Sequence, residues 1–313
     1  MLRRPLVTGA GGFIGSHLAN QLAKLSEVEF VYVIDMPNSV RLQTFKNNPR
    51  FRTLELDLCD SNIEEFLPND ASVVFALAAL NGTGRFYTQP HTVLVNSTIP
   101  TLTVLNKYAK LAPIVYSSSS EVYASTIELL DWTVPTDESV PIAIENVHNP
   151  RWSYATAKLF GEIALISAAR EMGATGAIVR YHNVYGPDMG VDHFVPDFIS
   201  RCKEGIIQLN GSEQTRAFMY IDDAVAGTIL AARNCTELIP IFHLGSSEEL
   251  SILDAARIIL REMGIEKQEI ERLGAPVGSV SRRCADPLKA KTVLGWSANV
   301  TFSEGIRRIL QMN

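Results

Sequence analysis

Residues 6–15 read Leu6-Val7-Thr8-Gly9-Ala10-Gly11-Gly12-Phe13-Ile14-Gly15. A short apolar run enters a cluster of glycines, and residues 14–24 then carry helical periodicity. Strand, glycine turn and helix form the context in which backbone amides approach a pyrophosphate. Glycine permits the tight turn and the close approach, and the helix N-terminus favours the negative charge. Gly9, Gly12 and Gly15 carry the turn, spaced G-x-x-G-x-x-G rather than G-x-G-x-x-G. Asp35 lies 20 residues after Gly15, at the end of an apolar run over 30–34, where a carboxylate accepts from both ribose hydroxyls. It would repel a 2′-phosphate, so the loop reads as a site for NAD rather than NADP. Asp57, after the next strand, is placed to meet the adenine.

Working outward, apolar runs at 6–8, 30–34, 52–56, 73–77, 114–117 and 177–180 alternate with helix-length segments at 14–24, 90–111 and 154–171. Repeated β-α units with buried strands predict an α/β fold with a doubly wound parallel (Rossmann) sheet over residues 1–184. From residue 185 the elements shorten, with helices expected at 194–203, 222–233, 252–263 and 302–311 and strands at 206–209 and 216–221. Residues 185–313 therefore read as a smaller, mixed α/β carboxy-terminal lobe that binds substrate, with some segments crossing back to the first.

The composition narrows the partners. The 313 residues are 46% hydrophobic and 20% charged with a net charge of −6, which gives no basic field for nucleic acid or an anionic membrane. No apolar run approaches the ~20 residues of a membrane span. The four cysteines, Cys59, Cys202, Cys235 and Cys284, are scattered without metal-ligand spacing. The glycine loop begins by Gly9, leaving no room for a leader, so the expectation is a cytoplasmic protein with reduced thiols and no metal. His182, Asp188, Asp192 and His193 cluster in sequence but lack the spacing of a helical H-x-x-x-H pair.

A second constellation carries chemistry. Residues 115–123 read Val-Tyr-Ser-Ser-Ser-Ser-Glu-Val-Tyr at the carboxyl end of a strand, where doubly wound sheets bind ligands. Tyr154 and Lys158 follow four apart on one helical face, so the ammonium favours ionisation of the phenol. Downstream of a dinucleotide loop, Ser119, Tyr154 and Lys158 read as a hydride-transfer site.

The order of these motifs resembles an extended short-chain dehydrogenase/reductase of the nucleotide-sugar epimerase/dehydratase family. The resemblance rests on the Gly9 to Gly15 loop, Asp35, Asp57, Leu77-Ala78-Ala79, the 117–123 segment, Tyr154 with Lys158, and the Arg180-Tyr-His-Asn-Val-Tyr-Gly-Pro187 stretch. It continues through residues 215–223 and 281–286 to Leu294-Gly295-Trp296. It implies a tightly bound NAD contacted by Phe13, Ile14, Leu58, Leu77, Ala78, Ala79 and Asn96 in addition to the glycines and acids. It further implies oxidation of a nucleotide-diphospho-sugar at C4 to a transient 4-keto intermediate. Tyr154 is then the base, Ser119 a partner of the same oxygen, and Lys158 the group that tunes Tyr154 and holds the nicotinamide ribose. Asn81, Gly82, Thr83, Arg85, Asn183, Asn210, Arg216 and Arg282 or Arg283 are implied to meet the substrate. Homodimerisation through the 90–111 and 154–171 helices is implied as well, with Leu102, Leu105, Ile163 and Ile166 available.

Glu121 discriminates between reactions. In the triplet Ser119-Ser120-Glu121, a desolvated glutamate of raised pKa would take the C5 proton while Ser120 meets the leaving group, so dehydration or decarboxylation is expected ahead of 4-epimerisation. Asp188 speaks against a uronate carboxylate, whereas Arg85 or the Pro150-Arg151-Trp152 stretch would favour one. A silent NAD-binding regulatory protein is the alternative of another class. Residues 125–149, which hold Asp131, Trp132, Asp137, Glu138 and Glu145, read either as an acidic flap over the sugar or as a solvated excursion.

Overall fold

The computed structural model describes residues 2–265, 268–275 and 279–312. The glycine loop joins strand β1 (Pro5–Thr8) to helix α1 (Phe13–Leu22), and β2 (Val31–Asp35), α2 (Val40–Gln43), β3 (Phe51–Glu55) and β4 (Val73–Ala76) follow. Helices α3 (Thr83–Thr88) and α4 (Pro90–Tyr108) lead to β5 (Ile114–Ser119), and α5 (Ala124–Leu129) and α6 (Trp152–Met172) to β6 (Gly176–Tyr181). These six strands and the strand Ile241–Leu244 form one parallel sheet, ordered Ile241–Leu244, β6, β5, β4, β1, β2, β3. The order reverses between β1 and β4, and the crevice outside their carboxyl ends is where such sheets take a dinucleotide.

Alternation of side chains builds two cores. Val7, Val33, Phe75, Val115, Ala177 and Phe242 face α1 and the helix Ile221–Arg233. Leu6, Ile34, Val74, Ile114, Tyr116 and Ile178 face α4 and α6, meeting Val104, Leu105, Tyr108 and Leu165. With both faces covered, the strands read as continuous apolar runs, which is why their alternation was invisible in sequence.

The chain crosses back repeatedly. The strand Ile241–Leu244 pairs with β6, although it follows residues 185–240, and the short sequence run that forms it was not anticipated. The expected strand over 216–221 divides into Thr215–Ala217 and Met219–Tyr220, with the following helix starting at Ile221. Thr215–Ala217 lies between Glu249–Ser251 and Arg282–Arg283 in a three-stranded sheet. This pairing brings residues 67 positions apart, Arg216 and Arg283, side by side.

Residues 125–149 are neither a free flap nor a solvated excursion. Thr136 is buried, its amide donating to the Cys284 carbonyl at 3.0 Å and its carbonyl accepting from Asp286 N at 2.8 Å. Val140 is buried in a cluster with Val122, Tyr123 and Ile127. Glu138 Oε1 accepts the His243 amide at 2.7 Å, so the segment satisfies the open edge of the last sheet strand.

Candidate active site

The cradle at the β1–α1 turn is shaped for backbone approach. Gly9 holds φ +69°, and a Cβ there would lie 2.9 Å from the Ala78 amide nitrogen. A Cβ on Gly15 would lie 2.1 Å from the Gly9 oxygen. Thr8 Oγ1 accepts from the amides of Leu77 and Ala78 at 3.2 Å, fastening the β4 exit to the glycine loop. Asp35 accepts from Gly11 N at 2.7 Å and Met36 N at 2.8 Å. Burial pushes its carboxyl up, and the amides of Met36, Gly11 and Gly12 oppose that. A glycine loop at a helix N-terminus with a carboxylate at the end of β2 fits NAD.

The remaining expected cofactor residues sit at the exits of β3 and β4, at the start of α1 and on α4. Asp57 Oδ1 accepts from Cys59 N at 2.9 Å, and Cys59 Sγ donates to Asn96 Oδ1 at 3.5 Å, joining the β3 exit to α4. Leu58 is buried, with its carbonyl on Thr103 Oγ1 at 2.9 Å. Phe13 and Ile14 pack on the α1-side core, and Ala79 packs beside Phe86 and Tyr154.

Tyr154 and Lys158 occupy the amino-terminal half of α6. Tyr154 is buried and stacks on Phe86, with ring centroids 5.1 Å apart. Phe86 was not singled out from sequence, and it is the α3 residue that fixes the phenol. Lys158 donates from Nζ to the Ser117 carbonyl at 2.7 Å, and its Nζ lies 5.7 Å from the Tyr154 ring centroid. Burial lowers its pKa to about 7, against the opposing charge of Glu162 one turn on. Burial and the Glu121 charge hold the Tyr154 phenol above its ordinary value. This is opposite to the lowering expected from Lys158, whose ammonium donates to Ser117 rather than to the phenol. Glu162 is itself buried in a forked pair with Arg180, at 2.8 and 2.7 Å.

Glu121 departs from expectation. Its carboxylate accepts from Arg283 Nη1 at 2.7 Å and from Arg151 Nη2 at 3.2 and 3.1 Å. Burial alone would push it up, but the charges of Arg283 and Arg151 overcome that and leave it below its ordinary value, opposite to the raised pKa expected of a base. Arg216 is close enough to contribute, and burial followed by the Arg283 charge lowers its own pKa to about 9. Its guanidinium is held by backbone carbonyls and Gln214, with no carboxylate within ion-pair distance among the described residues. Two guanidinium groups thus pair with one carboxylate beside Tyr154, and a third, Arg216, lies near enough to act on it through its charge. Arg151 Nε and Arg283 Nε are both buried without a hydrogen-bond partner. Arg151 was visible in sequence only as part of the Pro150-Arg151-Trp152 stretch.

Other expected residues separate by position. Ser119 Oγ accepts the Glu121 amide at 3.2 Å, and Ser120 is buried next to it. Asn183, at φ +40°, donates from Nδ2 to Ala217 O at 3.1 Å, close to Arg216 in sequence. Arg282 is paired with Glu249 at 2.7 Å, so Arg283 is the arginine of this pair that joins the cluster. Asn81, Thr83 and Arg85 are exposed around buried Gly82 at the start of α3, and Asn210 is exposed at the end of its strand. His182 lies in the core, bonded to Tyr123 and against His243, and burial lowers its pKa to about 3. Among the described residues no group of three or more His, Cys, Asp and Glu is placed to hold a metal, and no helix is long and apolar enough to cross a membrane.

With this geometry in place, the model of the NAD dependent epimerase/dehydratase family matches residues 5–245. The chain belongs to this family. It is 28% identical over 331 residues to a UDP-N-acetyl-alpha-D-glucosaminuronate decarboxylase of Bacillus cytotoxicus, covering 99% of this chain and 98% of that one. It is 30% identical over 316 residues to a putative UDP-glucose 4-epimerase of Methanocaldococcus jannaschii, covering 97% and 96%. In structure it superposes with TM-score 0.84 and 27% identity on a UDP-glucuronic acid 4-epimerase from Bacillus cereus in complex with UDP-glucuronic acid and NAD, covering 99% and 100%. Like the rest of the family, the protein is an NAD-dependent enzyme that modifies nucleotide sugars.

Proposed function

We propose that the protein decarboxylates a nucleoside-diphospho-uronic acid through a 4-keto intermediate. One observation carries this reading: Arg151 and Arg283 pair with the single carboxylate of Glu121 beside Tyr154 and the Arg216 charge lies close by without a carboxylate of its own, a surplus of positive charge suited to an anionic ligand. Arg216 and Arg283, neighbours on paired strands, are suited to the diphosphate, because guanidinium groups donate forked hydrogen bonds to phosphate oxygens. Arg151, directly before α6, is suited to the sugar carboxylate.

NAD, when bound, supplies the acceptor and later the donor of the C4 hydride. Tyr154 takes the proton of the 4-hydroxyl and Ser119 hydrogen-bonds the same oxygen. Oxidation makes the C6 carboxylate a β-keto acid. The C5–C6 bond then breaks, carbon dioxide leaves, and its electron pair forms the enolate whose negative charge rests on O4. Tyr154 and Ser119 stabilise that oxyanion. A proton from solvent then reaches C5, and Tyr154 returns its proton to O4 as the hydride comes back to C4, with Glu121 placed to hold the arginines while the carboxylate departs.

Dehydration fits less well, because it asks Glu121 to abstract the C5 proton while two arginines hold its pKa down. The Asp188 carboxyl, which in sequence spoke against a uronate, belongs to an exposed residue outside the ion-pair cluster. Arg85 is likewise exposed, so Arg151 takes the role it was offered. Incubation with UDP-glucuronate, UDP-N-acetylglucosaminuronate, UDP-glucose and their GDP, CDP and dTDP counterparts in deuterated water tests the proposal. Loss of carbon dioxide with one deuterium at C5 supports it; water loss, or C4 inversion with the carboxylate retained, defeats it.

The protein further reads as a homodimer through α4 and α6. Leu94, Ile99 and Leu102 on α4 and Phe160 and Ile163 on α6 are exposed, whereas Leu105 is buried toward the sheet and Ile166 is partly buried there. A second copy would cover this apolar face.

A further inference from the structure

We propose that residues 186–189 form a strap over the dinucleotide cradle, latched by His17 and Arg41, and that this latch keeps NAD from leaving between turnovers. The segment follows the strand Val184–Tyr185, in the part of the chain after β6, yet it seats against the glycine loop that opens the protein. His17 Nε2, in α1, lies 3.1 Å from the Pro187 carbonyl oxygen. A carbonyl only accepts, so the imidazole carries a proton on Nε2 in this contact. Arg41, in α2, donates from Nη2 to the Asp188 carbonyl at 2.9 Å and from Nη1 to the Gly11 carbonyl at 3.4 Å. One guanidinium therefore ties the strap to the glycine loop itself.

The backbone of the strap is set for this contact. Asp188 holds φ +64°, in the left-handed region that aspartate enters more readily than most side-chain-bearing residues. Gly186 leaves no room for a side chain: a Cβ would lie 2.5 Å from Ile221 Cγ2 and 3.5 Å from the Phe13 ring. Phe13 begins α1 and meets the His17 ring edge-on at 5.6 Å. The strap thus rests on the first turn of the helix whose N-terminus faces the cofactor phosphates.

Arg41 is a positioning residue, acting through two carbonyls rather than on the reacting atoms. Its charge at the glycine loop also favours a bound pyrophosphate. A reaction that returns hydride to the sugar from which it was taken requires a cofactor that stays in place, and the strap provides a barrier to departure that the glycine loop alone lacks. The contacts are separate from the Glu121 cluster, so they stand whichever reaction follows C4 oxidation.

The test uses the full chain carrying Arg41→Met, His17→Phe or both, purified without added cofactor. NAD is released by denaturation and quantified, and its dissociation is followed after rapid dilution. The double variant should release NAD at least about tenfold faster, ~1.4 kcal/mol off the barrier to dissociation, with a thermal midpoint after removal of NAD close to that of the parent treated alike. Arg41→Lys, which keeps the charge but loses the fork, should fall between the two. Parental retention in the double variant overturns the proposal. If the double variant does not fold, the Arg41→Lys and His17→Asn variants decide, and unchanged NAD release in both overturns it equally.

Discussion

Glu121 and Arg283 meet at 2.7 Å although 162 positions separate them, and Arg151 closes on the same carboxylate from the other side. The arrangement turns a candidate base into a counter-ion. Replacing Glu121 by Gln leaves two buried cations, Arg151 and Arg283, without their carboxylate, at a cost of about 3 kcal/mol by analogy with other broken buried pairs. A fall in thermal midpoint that added inorganic phosphate partly restores is expected in calorimetry. An unaltered midpoint would show that the pairing contributes nothing.

The same pairing sets a dependence on pH. Glu121 lies below its ordinary value of 4.5 in the folded chain, so its contribution is full above the unfolded value and is lost as pH falls through the folded one. Between those two values the unfolded chain binds the extra proton, and stability rises with pH. The acid limb of the midpoint-against-pH curve should therefore be shallower for Glu121→Gln than for the parent. Parallel curves would contradict this.

Tyr154→Phe removes the group that takes the hydroxyl proton while leaving the stack on Phe86 intact. Turnover should fall about 10³-fold with NAD still bound, as measured by product formation and by cofactor released on denaturation. Activity close to that of the parent would displace Tyr154 from its role.

Arg151→Leu separates the anion contacts. Affinity for a UDP-uronate should fall by about tenfold or more, the loss of one charge-assisted hydrogen bond, while affinity for UDP alone changes little. Titration calorimetry with both ligands checks the difference, and equal losses for both would place Arg151 at the diphosphate instead.

Ile163→Glu with Leu102→Glu charges an exposed apolar face without entering the core. If two copies pair there, light scattering should show the parent at twice the chain mass and the variant at once. A parent at single mass disposes of the dimer.

What could be read directly from sequence was local. The glycine loop, Asp35 and the Tyr154/Lys158 pair are short-range patterns, and the structure places them at one crevice because strand ends and helix starts converge there. Glu121 shows the limit. Its presence was legible, but the direction of its pKa depended on Arg151 and Arg283, which the fold alone brings to it. Between Arg282 and Arg283, adjacent and chemically alike, only the pairing of Arg282 with Glu249 made the distinction. The docking of residues 125–149 was equally hidden, since it uses the Thr136 backbone and one Glu138 oxygen rather than an apolar pattern.

The last strand of the sheet, Ile241–Leu244, has a consequence for biosynthesis. Because β6 finds its outer neighbour only after residues 185–240 have been made, an emerging chain cannot finish the cofactor half before nearly half of the substrate half exists. The two halves are therefore bound to mature together on the ribosome, and cutting the protein at residue 184 would leave a raw parallel edge in place of an autonomous cofactor domain.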